Sequence, residues 1–442
     1  MKSKILQRSV CLTRYKCFSI ICFVEVLIFF FPTILSGKIY TLDECIDMAV
    51  RNNFSIRKSR ENISLSQSQN LLSYSDMLPY IRASSSVTRS STVFGLDPYS
   101  DTYSSNISLT QTVFDLSSIY DIRGSRIRVK ESIALHNATV NEIEFTVAGF
   151  FFDFLKKRKL LGVKELGFSE SEENLRKTQL MYDVGTFSKV DLLRAEVIKN
   201  QSELDLLKSK KDVELSKANL AYAVGFNPDL EFDVKEDTFE FKRYNISDYD
   251  SLFKLVNENN PEILSERLSV SRSKTQLSSS YCRYFPTLSI HGSYGYSGDK
   301  FTFSKEEWDE KDSWSVGASV SLPLFTGFSR VANVKQSRAL LRSSELGLDD
   351  AIARKGIELK KALLAIDEAQ KTFILAEKNL EKAELSYRMM QEKYNLGAAT
   401  ILELIDAEQD YEQAQVTEIS THFDLLLTTF FVKNLLGERI VD

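Results

Sequence analysis

The chain is poor in the residues that interrupt regular structure. Over 442 positions it carries 17 Gly and 7 Pro, so its elements are expected to be long. Cysteine is scarce too. Of 5 Cys, Cys11, Cys17 and Cys22 crowd the N-terminus, and Cys45 and Cys282 stand far apart. That outlines neither a disulfide framework nor a metal-ligand spacing, and both thiols are expected to pack singly on helices. Asp43 and Glu44 directly before Cys45 argue against a lipid-modified N-terminal cysteine. The 3 His, at 136, 291 and 422, have no Ser/Asp or Cys companions at catalytic spacing. HExxH and a Gly-rich phosphate loop are also missing, so no enzyme, cofactor or metal site is expected. There is no basic run. The formal charge is −5, and the first 37 residues hold Lys2, Lys4, Arg8, Arg14 and Lys16 against Glu25 alone, so the remainder is more acidic still. Such a chain is a poor nucleic-acid ligand. Past Leu35 no stretch approaches about 18 consecutive apolar residues, so no transmembrane helix is expected there.

What is present is an ordinary share of apolar residues, 43%, enough to exclude a mainly disordered chain. The N-terminus is basic, then apolar from Phe18 to Leu35 with Glu25 inside, then small at Ser36 and Gly37. This predicts a secretory signal peptide over 1–37; an uncleaved membrane anchor is the rival reading.

Two long heptad stretches dominate the rest. Ile352, Leu359, Ile366, Phe373, Leu380, Tyr387 and Tyr394 recur every seven positions, with Ala362, Ala369, Ala376, Ala383 and Met390 three residues after five of them. Large residues at a and small ones at d predict a tightly packed left-handed supercoil. The pattern stops at Gly397, a residue suited to a left-handed helix end, and restarts at Thr400 with Glu403 three positions on, a capping box. The same device occurs upstream. Val140, Val147, Phe154, Leu161, Phe168, Leu175 and Tyr182 repeat every seven, Gly185 is the stop, and Ser188 with Asp191 the restart. The two turns, YDVGTFS and YNLGAAT, lie 212 positions apart. Ala195 and Gly225 match Ala407 and Gly437 at the same displacement.

The chain therefore divides into a first copy over 38–228, a connector over 229–249, a second copy over 250–437 and a tail over 438–442. Each copy is expected to hold a helix, two strands and a coiled-coil hairpin. The first helix is predicted over Thr41–Asp76, ended by Pro79, with Pro286 as its counterpart. Strands are expected over Tyr80–Arg89, Tyr103–Val113, Leu288–Tyr296 and Trp314–Phe325. Gly95-Leu96-Asp97-Pro98 is a turn, and Ser297–Ser313 a charged loop. Trp314, Val316, Ala318, Val320, Leu322 and Leu324 alternate with Ser315, Gly317, Ser319 and Ser321, a period of two. His291 falls on a polar strand face. Four strands cannot close a barrel alone, and an open two-faced sheet leaves edges exposed. Strands pooled between subunits would close one with apolar residues outward and Ser, Thr and Asn inward, the pattern of a membrane β-barrel. By length, a helix over 117–182 spans roughly 99 Å, and two shorter helices end to end match it.

Together these features resemble the TolC family of outer-membrane efflux proteins, over about residues 40–437. The stretches that carry the resemblance are LDECIDMAVRNNFSI, Pro79 and Pro286, SVSLPLFTGFSR, the YDVG and YNLG turns, LIDAEQDY, and Leu435-Leu436-Gly437. The resemblance implies a homotrimer with a 12-stranded β-barrel in outer-membrane lipid and a 12-helix coiled-coil α-barrel through the periplasm of a Gram-negative type cell. It implies a periplasmic adaptor and an inner-membrane transporter as partners, in efflux or type I secretion. It also implies an iris-like gate at the hairpin turns, with Glu403 and Asp406 at the constriction, Tyr394 linking the gate and Asp191 past the first turn. Ala399 stands where the family often has a basic residue, which removes one expected salt bridge. The plainer reading is that Glu403 is a helix cap and Tyr394 a core residue. A secreted structural coiled-coil or adhesin-like protein without transport activity is the alternative function.

Overall fold

The computed structural model describes residues 39–91, 99–226, 232–236, 244, 248–302 and 304–437. The expected signal peptide, the turn at 95–98, most of the connector and the tail at 438–442 lie outside the described residues.

The first half runs β1 (Ile39–Tyr40), α1 (Leu42–Asn52), α2 (Phe54–Ser75), β2 (Tyr80–Ser91), β3 (Tyr99–Phe114), α3 (Leu116–Asp183) and α4 (Lys189–Val224). After β4 (Asp233–Val234) come α5 (Tyr249–Asn259), α6 (Pro261–Cys282), β5 (Thr287–Gly298), α7 (Lys305–Lys311), β6 (Asp312–Ser321), α8 (Ser329–Asn395) and α9 (Ile401–Leu435). Among the described residues, two short helices, two strands, a long helix and a shorter helix thus follow each other twice, with α7 between the strands of the second set.

Two expectations need correction. The helix expected over 41–76 is two helices, broken at Asn53. Its side chain takes over the backbone's work at the break. Oδ1 accepts from Ser55 N at 2.8 Å and starts α2, while Nδ2 donates to the Ala223 carbonyl in the last turn of α4, also at 2.8 Å. Asn260 does the same in the second half, accepting from Glu262 N at 3.0 Å and donating to the Leu435 carbonyl at 3.3 Å. One buried amide therefore starts one helix and satisfies an orphan carbonyl at the end of another. The second correction concerns the loop 297–313. It contains α7, and β5 and β6 reach further into it than expected. At its other end β6 stops at Ser321, short of Phe325, because Pro323 has no N–H for a ladder.

The helices assemble as four rods. α3, with 68 residues, and α8, with 67, each span roughly 100 Å at 1.5 Å per residue. α2 and α4 meet end to end at Asn53 and lie along α3; α6 and α9 meet at Asn260 and lie along α8. α3 also packs on α6 and α9, which ties the two sets together. None of the heptad residues named above is exposed, so the seven-residue period marks the seam. Cores form around the joints. Val147, Phe151, Phe152 and Leu155 of α3 close on α1, the end of α4 and Phe423, Leu426 and Phe430 of α9. Leu359, Leu363 and Ile366 of α8 close on Val256, Ile263 and Leu435. Complete burial of each Phe contributes on the order of 2–3 kcal/mol.

At one end of the rods lies an antiparallel sheet in the order β2-β3-β5-β6. Its register sorts the side chains by face. Ile81, Leu109 and Val316 share one side with Ile107, Tyr294 and Trp314; Ser86 with Ser104, and Thr110, His291 and Ser293 with Ser315, share the other. The apolar side is open, with Trp314 75% and Val316 74% exposed. On the polar side serine hydroxyls bond across the strands, Ser86 to Ser104 at 2.8 Å and Ser293 to Ser315 at 2.9 Å. Because α3 follows β3 and α8 follows β6, both long helices run from the sheet to the far end, where the two hairpin turns lie.

Candidate functional site

The two turns at the far end are built alike. α3 ends with Gly185 at φ +81°, and Thr186 N donates back to the Met181 carbonyl at 2.8 Å. α8 ends with Gly397 at φ +72°, and Ala398 N donates to the Lys393 carbonyl at 2.8 Å. Each satisfies the orphan carbonyls of a helix end with a left-handed residue that glycine takes without a Cβ penalty. Each next helix starts with a reciprocal cap. Ser188 N donates to Asp191 Oδ2 at 3.1 Å, and Asp191 N to Ser188 Oγ at 3.2 Å. Thr400 N donates to Glu403 Oε2 at 2.8 Å, and Glu403 N to Thr400 Oγ1 at 3.3 Å.

These bonds set the charge state of the caps. The Thr400 N–H and hydroxyl hold the Glu403 carboxyl below the usual range, with Lys393 adding to the effect. The Ser188 hydroxyl and N–H do the same for Asp191, helped by Arg194. Both carboxylates are ionised at neutral pH, Glu403 exposed and Asp191 half-buried. Asp406 stands one turn beyond Glu403 on the exposed side of α9. Tyr394 is half-buried between the hairpins. Burial raises its phenol pKa and the nearby Asp191 charge raises it further, while a hydrogen bond with Thr178 of α3 opposes both. Tyr394 and Asp191, from different hairpins, are thus brought together, whereas Glu403 and Asp406 face outward as a pair. Ala399 is half-buried. The cations close to the caps are Lys393 and Arg194, contributed by other positions.

A second acidic group lies deeper, and sequence reasoning missed it. Glu170 of α3 and Glu408 of α9 come together under Tyr387, with Asn174 Nδ2 donating to Glu408 Oε2 at 3.2 Å. Burial first, then the Glu170 and Glu412 charges, push the Glu408 carboxyl up to about 7. Nothing in a heptad flags such a residue, because glutamates flanking a coiled-coil seam are ordinarily solvated. Among the described residues no cluster is arranged to hold a metal ion, and no helix is long and apolar enough to cross a membrane.

A family model described as "Outer membrane efflux protein" matches residues 45–226 and 252–437. The chain belongs to the outer membrane efflux protein family. The outer membrane efflux protein BepC of Brucella suis biovar 1 (strain 1330) is 20% identical over 93% of this chain and 89% of its own length. Outer membrane protein TolC of Vibrio cholerae serotype O1 (strain ATCC 39315 / El Tor Inaba N16961) is 20% identical over 76% and 77%. Among solved structures, the Campylobacter jejuni CmeC outer membrane channel superposes with a TM-score of 0.80, at 16% identity, over 91% of this chain and 87% of that one. The family places the chain in the outer membrane as an efflux channel and not an enzyme, and it sets aside the adhesin-like alternative.

Proposed function

We propose that three copies of this outer membrane efflux protein form one conduit. The four-stranded sheets would pool into a 12-stranded barrel in outer-membrane lipid, and the rods into a 12-helix α-barrel reaching through the periplasm. The conduit serves as the exit duct of a tripartite efflux or type I secretion system, fed by an inner-membrane transporter through a periplasmic adaptor. The observation that carries this reading is the sheet. It is open at β2 and β6, apolar on one side and lined with Ser, Thr and Asn on the other. Closing it with further copies removes both edges and turns the apolar side to lipid. The hairpin turns at the opposite end then form the periplasmic mouth. There Glu403 and Asp406 ring the constriction, and Tyr394 with Asp191 links neighbouring hairpins across it. Native mass measurement in detergent, followed by reconstitution in planar bilayers, tests the reading. A trimer that conducts is expected. A stable monomer with intact strands overturns it.

A further inference from the structure

Above the mouth, α3 of the first hairpin and α9 of the second pack together, and each turns a glutamate into the contact. The donors at these glutamates are neutral. Asn174 donates to Glu408, and the Tyr387 hydroxyl of α8 donates to Glu170. Tyr387 is only 8% exposed and stacks on Tyr411 with ring centroids 5.5 Å apart, so the cluster is roofed by aromatic rings. Lys164 of α3 is ion-paired with Glu412.

We propose that Glu170 and Glu408 form a proton-operated latch between the two hairpins: a proton on the pair holds α3 against α9, and its loss loosens them. The proposal rests on the reading of the chain as a duct whose mouth opens by hairpin movement. Its chemistry is that of two carboxyls in a partly buried site. With one proton present the pair carries a single negative charge, which Asn174 and Tyr387 can solvate. Without it, two like charges face each other away from water, and separating the helices to admit water relieves both the repulsion and the desolvation.

The surrounding charges do not cancel the pair. On α4, Asp205 is engaged by Gln201 and Lys208. On α8, Arg388 pairs with Glu384. On α9, Glu412 adds a further negative charge that raises Glu408. Glu408 titrates at about 7 in the packed arrangement against an ordinary value of 4.5, and Glu170 is also raised by burial. A carboxyl raised in this way favours the packed arrangement in full below its ordinary value. That preference is lost as the pH rises through about 7. Over that window the balance between packed and loosened hairpins shifts on the order of a hundredfold. Two of the histidines titrate lower. Burial pushes His422 and His136 below their ordinary value, with Lys159 and Arg60 respectively adding to it.

The test uses the full-length protein in a His291→Gln background, which removes the imidazole on the polar side of the sheet. Conductance in planar bilayers is recorded from pH 5.5 to 8.5. It is expected to step upward as the pH passes about 7. Glu408→Gln should abolish the step, and Glu170→Gln should move it to lower pH. A step that persists unchanged in an intact Glu408→Gln protein overturns the latch. Absence of conductance in every variant at every pH would instead count against the duct. Hydrogen exchange then decides the latch independently. Corrected for intrinsic rates, protection of residues 168–178 and 404–412 is expected to fall through pH 7 in the parent and to stay constant in Glu408→Gln. Identical profiles in the two proteins overturn the proposal.

Discussion

Three acidic residues near the start of one helix end up in three different surroundings. Glu403 is ionised and held by the backbone it caps, Asp406 is simply exposed, and Glu408 is half-buried and carries a proton near neutral pH. The difference is the number and kind of donors each meets. Glu403 meets an N–H and a hydroxyl, whereas Glu408 meets one amide and two other carboxylates. Asp406 is the clean probe of the proposed constriction, because it caps nothing. Asp406→Ala is expected to lower cation selectivity and weaken block by trivalent cations, read from reversal potentials and current block in bilayers. Unchanged values in an intact protein would make Asp406 ordinary helix surface. Glu403→Ala would change charge and cap together. Because its folded pKa is lowered, the capping contribution is present at neutral pH and lost only as the pH falls through the carboxylate range.

At the scale of elements, five glycines with positive φ among the described residues mark the ends of helices or the approach to one, and their surroundings differ. Gly397 and Gly185 have nothing within 4 Å of where a Cβ would stand. At Gly225, φ +86°, a Cβ would sit 2.9 Å from the Asn52 carbonyl carbon, because α4 ends against the break between α1 and α2. Gly397→Ala should therefore cost only the left-handed backbone term, about 1–2 kcal/mol. Gly225→Ala should cost about 3 kcal/mol or more, since overpacking adds to the same term. Thermal denaturation of the two variants checks this. Equal losses would mean that the joint at Asn53 gives way freely. Gly437, φ +71°, would meet Asn259 in the same manner, at 3.1 Å from its carbonyl oxygen.

For the whole molecule the governing fact is polarity along its length. The sheet is at one end and the hairpin turns are at the other, with α3 and α8 fixing the separation. If the sheet spans the membrane with the turns in the periplasm, the segment between β5 and β6 faces outside. The described residues of that segment are tied together by several contacts. Trp308 of α7 stacks on Tyr296 and Tyr294 at 5.3 and 6.0 Å, and its Nε1 donates to the Thr302 carbonyl at 3.0 Å. Lys311 pairs with Asp299 at 2.6 Å. Ser304 lies exposed at the start of α7. A Ser304→Cys variant should react with a membrane-impermeant maleimide on intact cells. Reaction only after rupture of the outer membrane would reverse the proposed orientation.

The heptads, glycine stops and capping boxes act between residues a few positions apart, so the long helices, the tight turns and the order of elements were legible from the residues alone. The period-two strands were legible for the same reason, and with them the two faces of the sheet. The break at Asn53 was not. Its twin Asn260 precedes a proline, but Phe54 carries no such mark, and what stabilises the break is the Ala223 carbonyl 170 positions away. The depth of β5 and β6 and the presence of α7 depend likewise on Trp308 reaching Tyr294 and Tyr296 across the hairpin. At the mouth, the caps Asp191 and Glu403 follow from local spacing, while the approach of Tyr394 to Asp191 requires the two hairpins to pack. Glu170 and Glu408 are the extreme case. Each is an unremarkable residue on a helix flank, and only the packing of α3 on α9 removes them from water and sets one carboxylate against the other. Desolvation and charge proximity are properties of the assembled fold, so no window of sequence contains them.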